Sequence, residues 1–264
     1  MIVALRQRAR GAAGAYGPAF LLLVALIALW EGWVRAAGTR PYILPAPSRI
    51  WDAFLQTRET LPGHIQTTLT EAVLGLLAGA TAGVILAAAL AVSPLIRRLL
   101  YPVLVLSQNI PMVVLAPLLI VWLGFGMEPK IVVVALITVF PVCLSTTDGL
   151  LGADRDMVDL VRSMGGRRWA VLRYVRIPGA IPSFFGGLKI ASAYAILGAV
   201  IGEWVGASSG LGIFITRAQA SFRVDRVFVA VVIVAALSIA LFAIVSALAR
   251  LASPWRYVRE DDNP

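Results

Sequence analysis

The chain is built from apolar runs long enough to cross a bilayer, separated by short polar or charged segments. A spanning helix needs about 20 apolar residues. Runs of that kind cover roughly 17–34, 65–91, 99–123, 130–144, 183–205 and 226–251. Inside lipid every backbone N–H and C=O has to be satisfied within the segment, so such runs fold as helices. The expectation is an all-α polytopic membrane protein with about six transmembrane helices. Composition agrees, because only 14% of residues are charged, against about a quarter in soluble domains.

Charge orients the runs. Arg6, Arg8 and Arg10 precede the first one. A cleaved signal peptide is the competing reading of this segment, but the run is long for a signal's apolar region, and Val34-Arg35-Ala36-Ala37 is a poor cleavage site. A retained first span with the N-terminus inside is expected. With six spans, 15 of the 23 Lys and Arg residues then fall in cytoplasmic segments and 8 outside, the bias that fixes orientation. Both termini are cytoplasmic in this reading, with tails at 1–16 and 252–264 flanking a transmembrane domain at 17–251.

The net charge of +9 does not point to nucleic acid, because no soluble domain carries a basic patch interleaved with aromatics. Cys143 is the single cysteine, so no internal disulfide forms, and with one histidine, His64, there is no zinc site of the usual kind. The two lysines, Lys130 and Lys189, do not follow glycine. The glycine-rich phosphate loop that ends in Gly-Lys is therefore absent, and any ATP used by this protein is bound by another chain.

Several local patterns stand out. Residues 38–62 are polar, hold Pro41, Pro45 and Pro47, and read as an external loop with a short amphipathic helix from about Pro47 to Leu55, its Ile50 and Leu55 in the interface. Gly75, Gly79, Gly83 and Ala87 recur every four residues, a spacing that lets two helix backbones approach closely. Ser93-Pro94 ends the second span, and Arg97-Arg98 marks a cytoplasmic turn. The third span is interrupted by Gln108-Asn109 with Pro111 and Pro117; prolines free carbonyls that neighbours or a wet cavity must satisfy. Residues 206–225, with Gly210-Leu211-Gly212, read as an external loop. No inverted repeat of the secondary-transporter kind is apparent.

The segment at about 145–182 is different. Within it Asp159–Pro178 reads DLVRSMGGRRWAVLRYVRIP. Val158, Val161 and Met164 form a helical stripe, and Asp159 suits the first turn of a helix. Gly165-Gly166 breaks it. Trp169, Leu172 and Val175 stripe a second helix whose other positions hold arginines, and Pro178 and Pro182 stop its continuation into the fifth span. Two short helices at an angle under the membrane are expected. The residues alone leave two readings open: a basic hairpin resting on anionic headgroups, or a surface read by a cytosolic partner.

The order of these motifs resembles a known family. Asp159-Leu160-Val161, Gly165 and the closing Ile177-Pro178 are similar to the EAA loop of ABC importer permeases, with Asp in place of Glu and Leu-Val in place of Ala-Ala. Leu44-Pro45-Ala46-Pro47 with Ile50-Trp51, Ile110-Pro111, Ala116-Pro117-Leu118, Trp122-Leu123-Gly124-Phe125-Gly126, Phe140-Pro141, and Glu203 with Gly210-Leu211-Gly212 resemble the nitrate/sulfonate/taurine branch. The resemblance runs from Leu44 to Tyr257. It implies the type I ABC importer permease fold in a bacterial inner membrane. It also implies a second permease copy, two ATPase subunits that bind ATP and Mg, an extracytoplasmic substrate-binding protein, and surrounding membrane lipid. The chain itself would be no enzyme and would hold no cofactor. Asp159, Leu160, Val161 and Met164 would meet the ATPase, Gly165 would act as a hinge, and Ile177-Pro178 would fix the return. ATP-driven closure of the ATPase pair would turn the path from inward-open to outward-open.

Polar groups at membrane depth are functional candidates. Ser107, Gln108, Asn109, Tyr194 and Glu203 are the candidates for lining the path, with Glu71 behind them. Helix–helix hydrogen bonding is the alternative for Gln108 and Asn109, and an interfacial, structural role the alternative for Glu203. The leading functional reading is the permease subunit of an ABC importer for a small solute, an organic or inorganic anion such as a sulfonate, taurine or nitrate. A proton-coupled transporter that titrates Glu71 or Glu203 and needs no ATPase is the alternative. A membrane-embedded enzyme is disfavoured, because no His/Asp/Cys constellation is present.

Overall fold

Helices account for every regular element of the computed structural model, which describes residues 2–254, with side chains from Gly17 onward apart from Ala19. Arg6, Arg8 and Arg10 as side chains, and most of the expected tail 252–264 with Tyr257, lie outside the described residues. In chain order the helices are α1 (Ile2–Ala36), α2 (Pro47–Thr57), α3 (Leu61–Val92), α4 (Pro94–Gln108), α5 (Met112–Leu123) and α6 (Glu128–Leu151). They continue as α7 (Arg155–Ser163), α8 (Arg168–Val171), α9 (Ile177–Glu203), α10 (Leu211–Ala220) and α11 (Val224–Ala252). Among the described residues α3, α6, the continuous 168–203 helix and α11 are long and apolar enough to span a membrane, and α4 with α5 makes a fifth span if the bent pair is counted as one. The expected first span falls in α1, where Phe20, Leu22, Leu26 and Leu29 are exposed.

The chain divides into two compact units. The first combines Met1–Glu59 with Arg217–Val231. In it Glu31 of α1 accepts hydrogen bonds from the Ser48 amide (3.0 Å) and hydroxyl (2.8 Å) at the start of α2, and Arg35 pairs with the same carboxylate at 2.6 Å. Trp30 packs on Phe228 with ring centroids 5.5 Å apart. Buried Asp225 receives Arg223 at 3.0 Å. The amphipathic helix expected near Pro47 is present as α2, with Trp51 and Leu55 exposed.

The second unit, Thr60–Thr216 with Val232–Pro264, is organised by α3, α6 and α9. A Cβ on Gly75 would strike the Val134 side chain, one on Gly79 the Thr138 hydroxyl and the Ala135 carbonyl, and one on Gly83 the Val139 carbonyl. The contacts advance in step along both helices, so α3 and α6 run parallel with their backbones nearly touching. Small residues at every fourth position are what such an approach needs. Helix α9 packs antiparallel to α6: Gly187 meets Pro141 and Ser145, Gly198 meets Val134 and Ile137, and Gly202 meets Lys130. Ala72, Val134, Ala191, Ala195, Ile196 and Ala199 fill the core between them.

The expected boundaries shift for identifiable reasons. Ser93 ends α3 in an extended conformation, and its hydroxyl accepts the Ile96 amide to cap α4. The third span is two helices bent by 100°. Pro111 donates no amide and disfavours helical backbone at Ile110, so Asn109 closes α4 and Pro111 opens α5. Helix α6 extends past Ser145 to Leu151, with the Thr147 hydroxyl turned back on the Cys143 carbonyl at 2.7 Å.

Two expectations are corrected. The second loop helix does not stop at Pro178: α8, a π-turn at Leu172–Arg176 and α9 form one helix. The Ile177 amide bonds to the Leu172 carbonyl, five residues back. This wide turn makes room where the Pro178 ring would otherwise press on the carbonyl four residues earlier. Residues 206–225 are not simply a loop, since α10 occupies the middle of that stretch.

The seam yields a stability test. Gly79→Leu should cost about 1–3 kcal/mol through overpacking, seen as a lower unfolding midpoint of the detergent-solubilised protein. Gly179→Ala, whose Cβ meets open space, should leave the midpoint unchanged.

Candidate functional site

Helix α7 has the makings of a presented surface. The Asp154 side chain accepts the Asp156 amide at 2.9 Å and starts the helix. Its end is a glycine cap: Gly165, at φ +84°, donates its amide to the Arg162 carbonyl, and the Gly166 amide reaches the Val161 carbonyl, both at 2.9 Å. This pair of bonds with a left-handed residue between them is the Schellman arrangement. A Cβ on Gly166 would lie 2.5 Å from the Val161 carbonyl oxygen, so both glycines are required, for different reasons.

The helix divides its apolar residues between two faces. Val158 is buried and Val161 half-buried, turned towards the protein. Met157, Leu160 and Met164 are 53%, 54% and 79% exposed, and their spacing of three and four residues lines them up on an adjoining, outward stripe. Asp159 is exposed and pairs with Arg162 at 3.5 Å. Of the expected docking residues, Asp159, Leu160 and Met164 lie open, while Val161 belongs to the inner side. Met157 joins the outer stripe. The family resemblance sets only Asp159, Leu160, Val161 and Met164 against a partner, and the 158-161-164 repeat alone does not say which side is buried. Ile177 and Pro178 sit just beyond the π-turn, at the start of α9.

The path candidates separate. Ser107, Gln108 and Asn109 are exposed at the break between α4 and α5. The Ser107 hydroxyl donates to the Leu104 carbonyl at 2.8 Å, and the Asn109 amide group to the Val105 carbonyl at 2.7 Å. Tyr194 is exposed on α9 beside Ile190 and Leu197. Glu203 differs from these: it is 0% exposed and anchors a network at the last turn of α9.

That network joins three segments. Thr68 of α3 donates its hydroxyl to Glu203 Oε1 at 2.6 Å and accepts the Leu211 amide at 2.8 Å. The Gly212 amide donates to Glu203 Oε2. His64 Nδ1 accepts the Gly210 amide at 3.0 Å. A Cβ on Gly210 would collide with the Glu203 carboxylate, which accounts for glycine at that position. Beside it Lys130 Nζ contacts Glu71 Oε1 at 2.9 Å, with Glu71 0% exposed, and Glu71 Oε2 has no hydrogen-bond partner. Glu203 is therefore enclosed among these donors and not exposed at an interface. Thr68 and Glu71, three apart on one face of α3, with an opposite charge at Lys130, were the available signal, since charges inside a membrane protein are paired.

The described residues thus form a helical membrane protein with an apolar-striped short helix at one end of its core and a buried polar clasp at the other. The chain belongs to the binding-protein-dependent transport system inner membrane component family, whose model matches residues 79–255; it is a transmembrane permease of the ABC importer type. It is 40% identical over 223 residues to a probable ABC transporter permease protein of Haemophilus influenzae, covering 84% of this chain and 91% of that one. It is 35% identical to a formylaminopyrimidine transport permease of Halalkalibacterium halodurans over 89% of this chain and 94% of the other. To a putative aliphatic sulfonates transport permease of Bacillus subtilis it is 30% identical, over 89% and 86%. In fold it is similar to a chain of an inward-facing MetNI methionine ABC transporter, with a TM-score of 0.66, 18% identity and coverage of 75% of this chain and 98% of that one. The expected fold and family are thereby established.

The clasp makes a prediction. Lys130→Met leaves Glu71 buried without its partner and should cost about 3 kcal/mol or more, read as a lower unfolding midpoint. Adding Glu71→Leu should recover most of that loss.

Proposed function

We propose that this permease pairs with a second copy to line a path for a small solute, driven by two ATPase subunits that bind ATP and Mg and supplied by an extracytoplasmic binding protein. The loop carrying α7 faces the cytosol in this reading, with both termini on the same side of an inner membrane. The observation that carries it is the exposed Met157, Leu160 and Met164 stripe on a short helix capped at both ends. Three unpaired apolar side chains in a row suit a groove on a partner protein. Asp159 at the rim would set orientation.

Gly165 acts here through shape. Its left-handed backbone ends α7 and sets the angle at which the helix is offered, and only Met164–Arg167 separate α7 from α8. Closure of the ATPase pair would move α7, and with it the helix that begins at Arg168. Ser107, Gln108 and Asn109, exposed at the α4–α5 break, and Tyr194 on α9 are the polar groups available to the path. The solute class has support in two directions. The motifs resembling the sulfonate and taurine branch favour a small anion. The 35% identical relative is named for formylaminopyrimidine, which favours a small heteroaromatic. Specificity in either case would rest largely with the binding protein.

Purification from native membranes should bring an ATPase with the chain, and uptake in proteoliposomes should require ATP. Uptake that persists without ATP and without an ATPase would overturn the reading. Leu160→Glu with Met164→Glu should abolish ATPase co-purification while the permease remains in the membrane. Gly165→Val forces a β-branched residue into left-handed backbone, at about 1–2 kcal/mol, and should uncouple hydrolysis from uptake. Gly165→Asn should be milder, because Asn tolerates that conformation. Asn109→Leu should alter uptake kinetics with ATPase binding intact; unchanged kinetics would remove Asn109 from the path.

A further inference from the structure

At the loop end of the second unit lies a recess of about 830 Å³, within the roughly 300–1,000 Å³ that encloses a drug-sized ligand. Val84, Ala88 and Val92 of α3 form one wall, and Val171, Ile181 and Phe184 of the α8–α9 helix the other. Leu150 and Thr146 of α6 close it. The guanidinium-bearing residues Arg162, Arg168 and Arg176 line the same recess. It is thus apolar in its walls and carries three cations contributed by the loop segment.

Two polar atoms here lack partners. The Thr146 hydroxyl, on a residue 6% exposed, and Arg176 Nε are both buried and make no hydrogen bond. A buried donor without an acceptor costs about 1–3 kcal/mol, and a charged one more. Both atoms belong to residues that line one cavity, whose surroundings are thus short of hydrogen-bond acceptors. Arg162 has only the long 3.5 Å contact to exposed Asp159 and keeps donors to spare.

We infer that this recess binds an anionic phospholipid, with an acyl chain between α3 and α9 and the phosphate held by Arg162, Arg168 and Arg176. Guanidinium forks match phosphate oxygens, and basic pockets between spanning helices are where anionic headgroups seat. A soluble anion alone leaves the apolar walls wet. A zwitterionic lipid fills them but carries its own cation to the arginine cluster. The inference is independent of the proposed transport cycle, since it needs neither an ATPase nor a solute.

The test uses the full purified chain and native mass spectrometry with phosphatidylglycerol, phosphatidylcholine of the same acyl chains, and inorganic phosphate. Phosphatidylglycerol should bind at least about tenfold more tightly than phosphatidylcholine. Arg168→Gln with Arg176→Gln should abolish that preference, while Arg98→Gln, exposed and outside the recess, should keep it. Ala88→Trp, which fills the apolar wall, should weaken both lipids and leave the secondary structure intact by circular dichroism. Equal binding of the two lipids, an unchanged preference in the arginine double variant, or inorganic phosphate competing at equal affinity would each overturn the inference. So would a dimer whose partner copy covers Val84 and Ala88 and excludes lipid.

Discussion

The near-contact of the α3, α6 and α9 backbones is the constraint from which the rest follows. Helices in lipid gain little from hiding apolar surface, so they associate by packing closely. Glycine at 75, 79 and 83 lets α3 settle onto α6, and Ala191, Ala195 and Ala199 do the same for α9. Because α3 and α6 run parallel and α9 opposes them, their ends are matched. Thr68, Glu71, Lys130 and Glu203 converge at one end, and the loop segment emerges at the other. Neither polar assembly would exist without the seam between them.

The clasp at the first end converts backbone amides into structure. Gly210, Leu211 and Gly212 enter α10 with three amides that the helix cannot satisfy itself. His64, Thr68 and Glu203 accept them. The carboxylate is buried, and both its oxygens accept hydrogen bonds from within the chain. The Gly-Leu-Gly run is thus the partner of a glutamate, and the small residues are dictated by how closely the carboxylate approaches.

Much of this was legible in the chain. Apolar run length located α3, α6, α9 and α11, and the every-fourth-residue glycines gave the seam, because both are direct consequences of helix geometry. The loop motif gave the family. The sequence was silent where two chemically equal choices compete. A repeat such as 158-161-164 marks a helix but not its inward face, and only the structure turns Met157, Leu160 and Met164 outward. Pro178 reads as a stop, yet a π-turn accommodates it. The partners of Glu203 lie far along the chain, at Thr68 and Gly212, and single-sequence reading has no access to such pairings.

The π-turn before Pro178 has a mechanical consequence. By admitting the proline without a break, it makes residues 168–203 one helix of 36 residues, about 54 Å long at 1.5 Å per residue. One end of this rod begins just past the glycine cap of α7, and the other ends at Glu203, which accepts the Gly212 amide. A twist applied to the rod at Arg168 has no loop in which to dissipate. At the far end of the same helix Glu203 holds the Gly212 amide and the Thr68 hydroxyl.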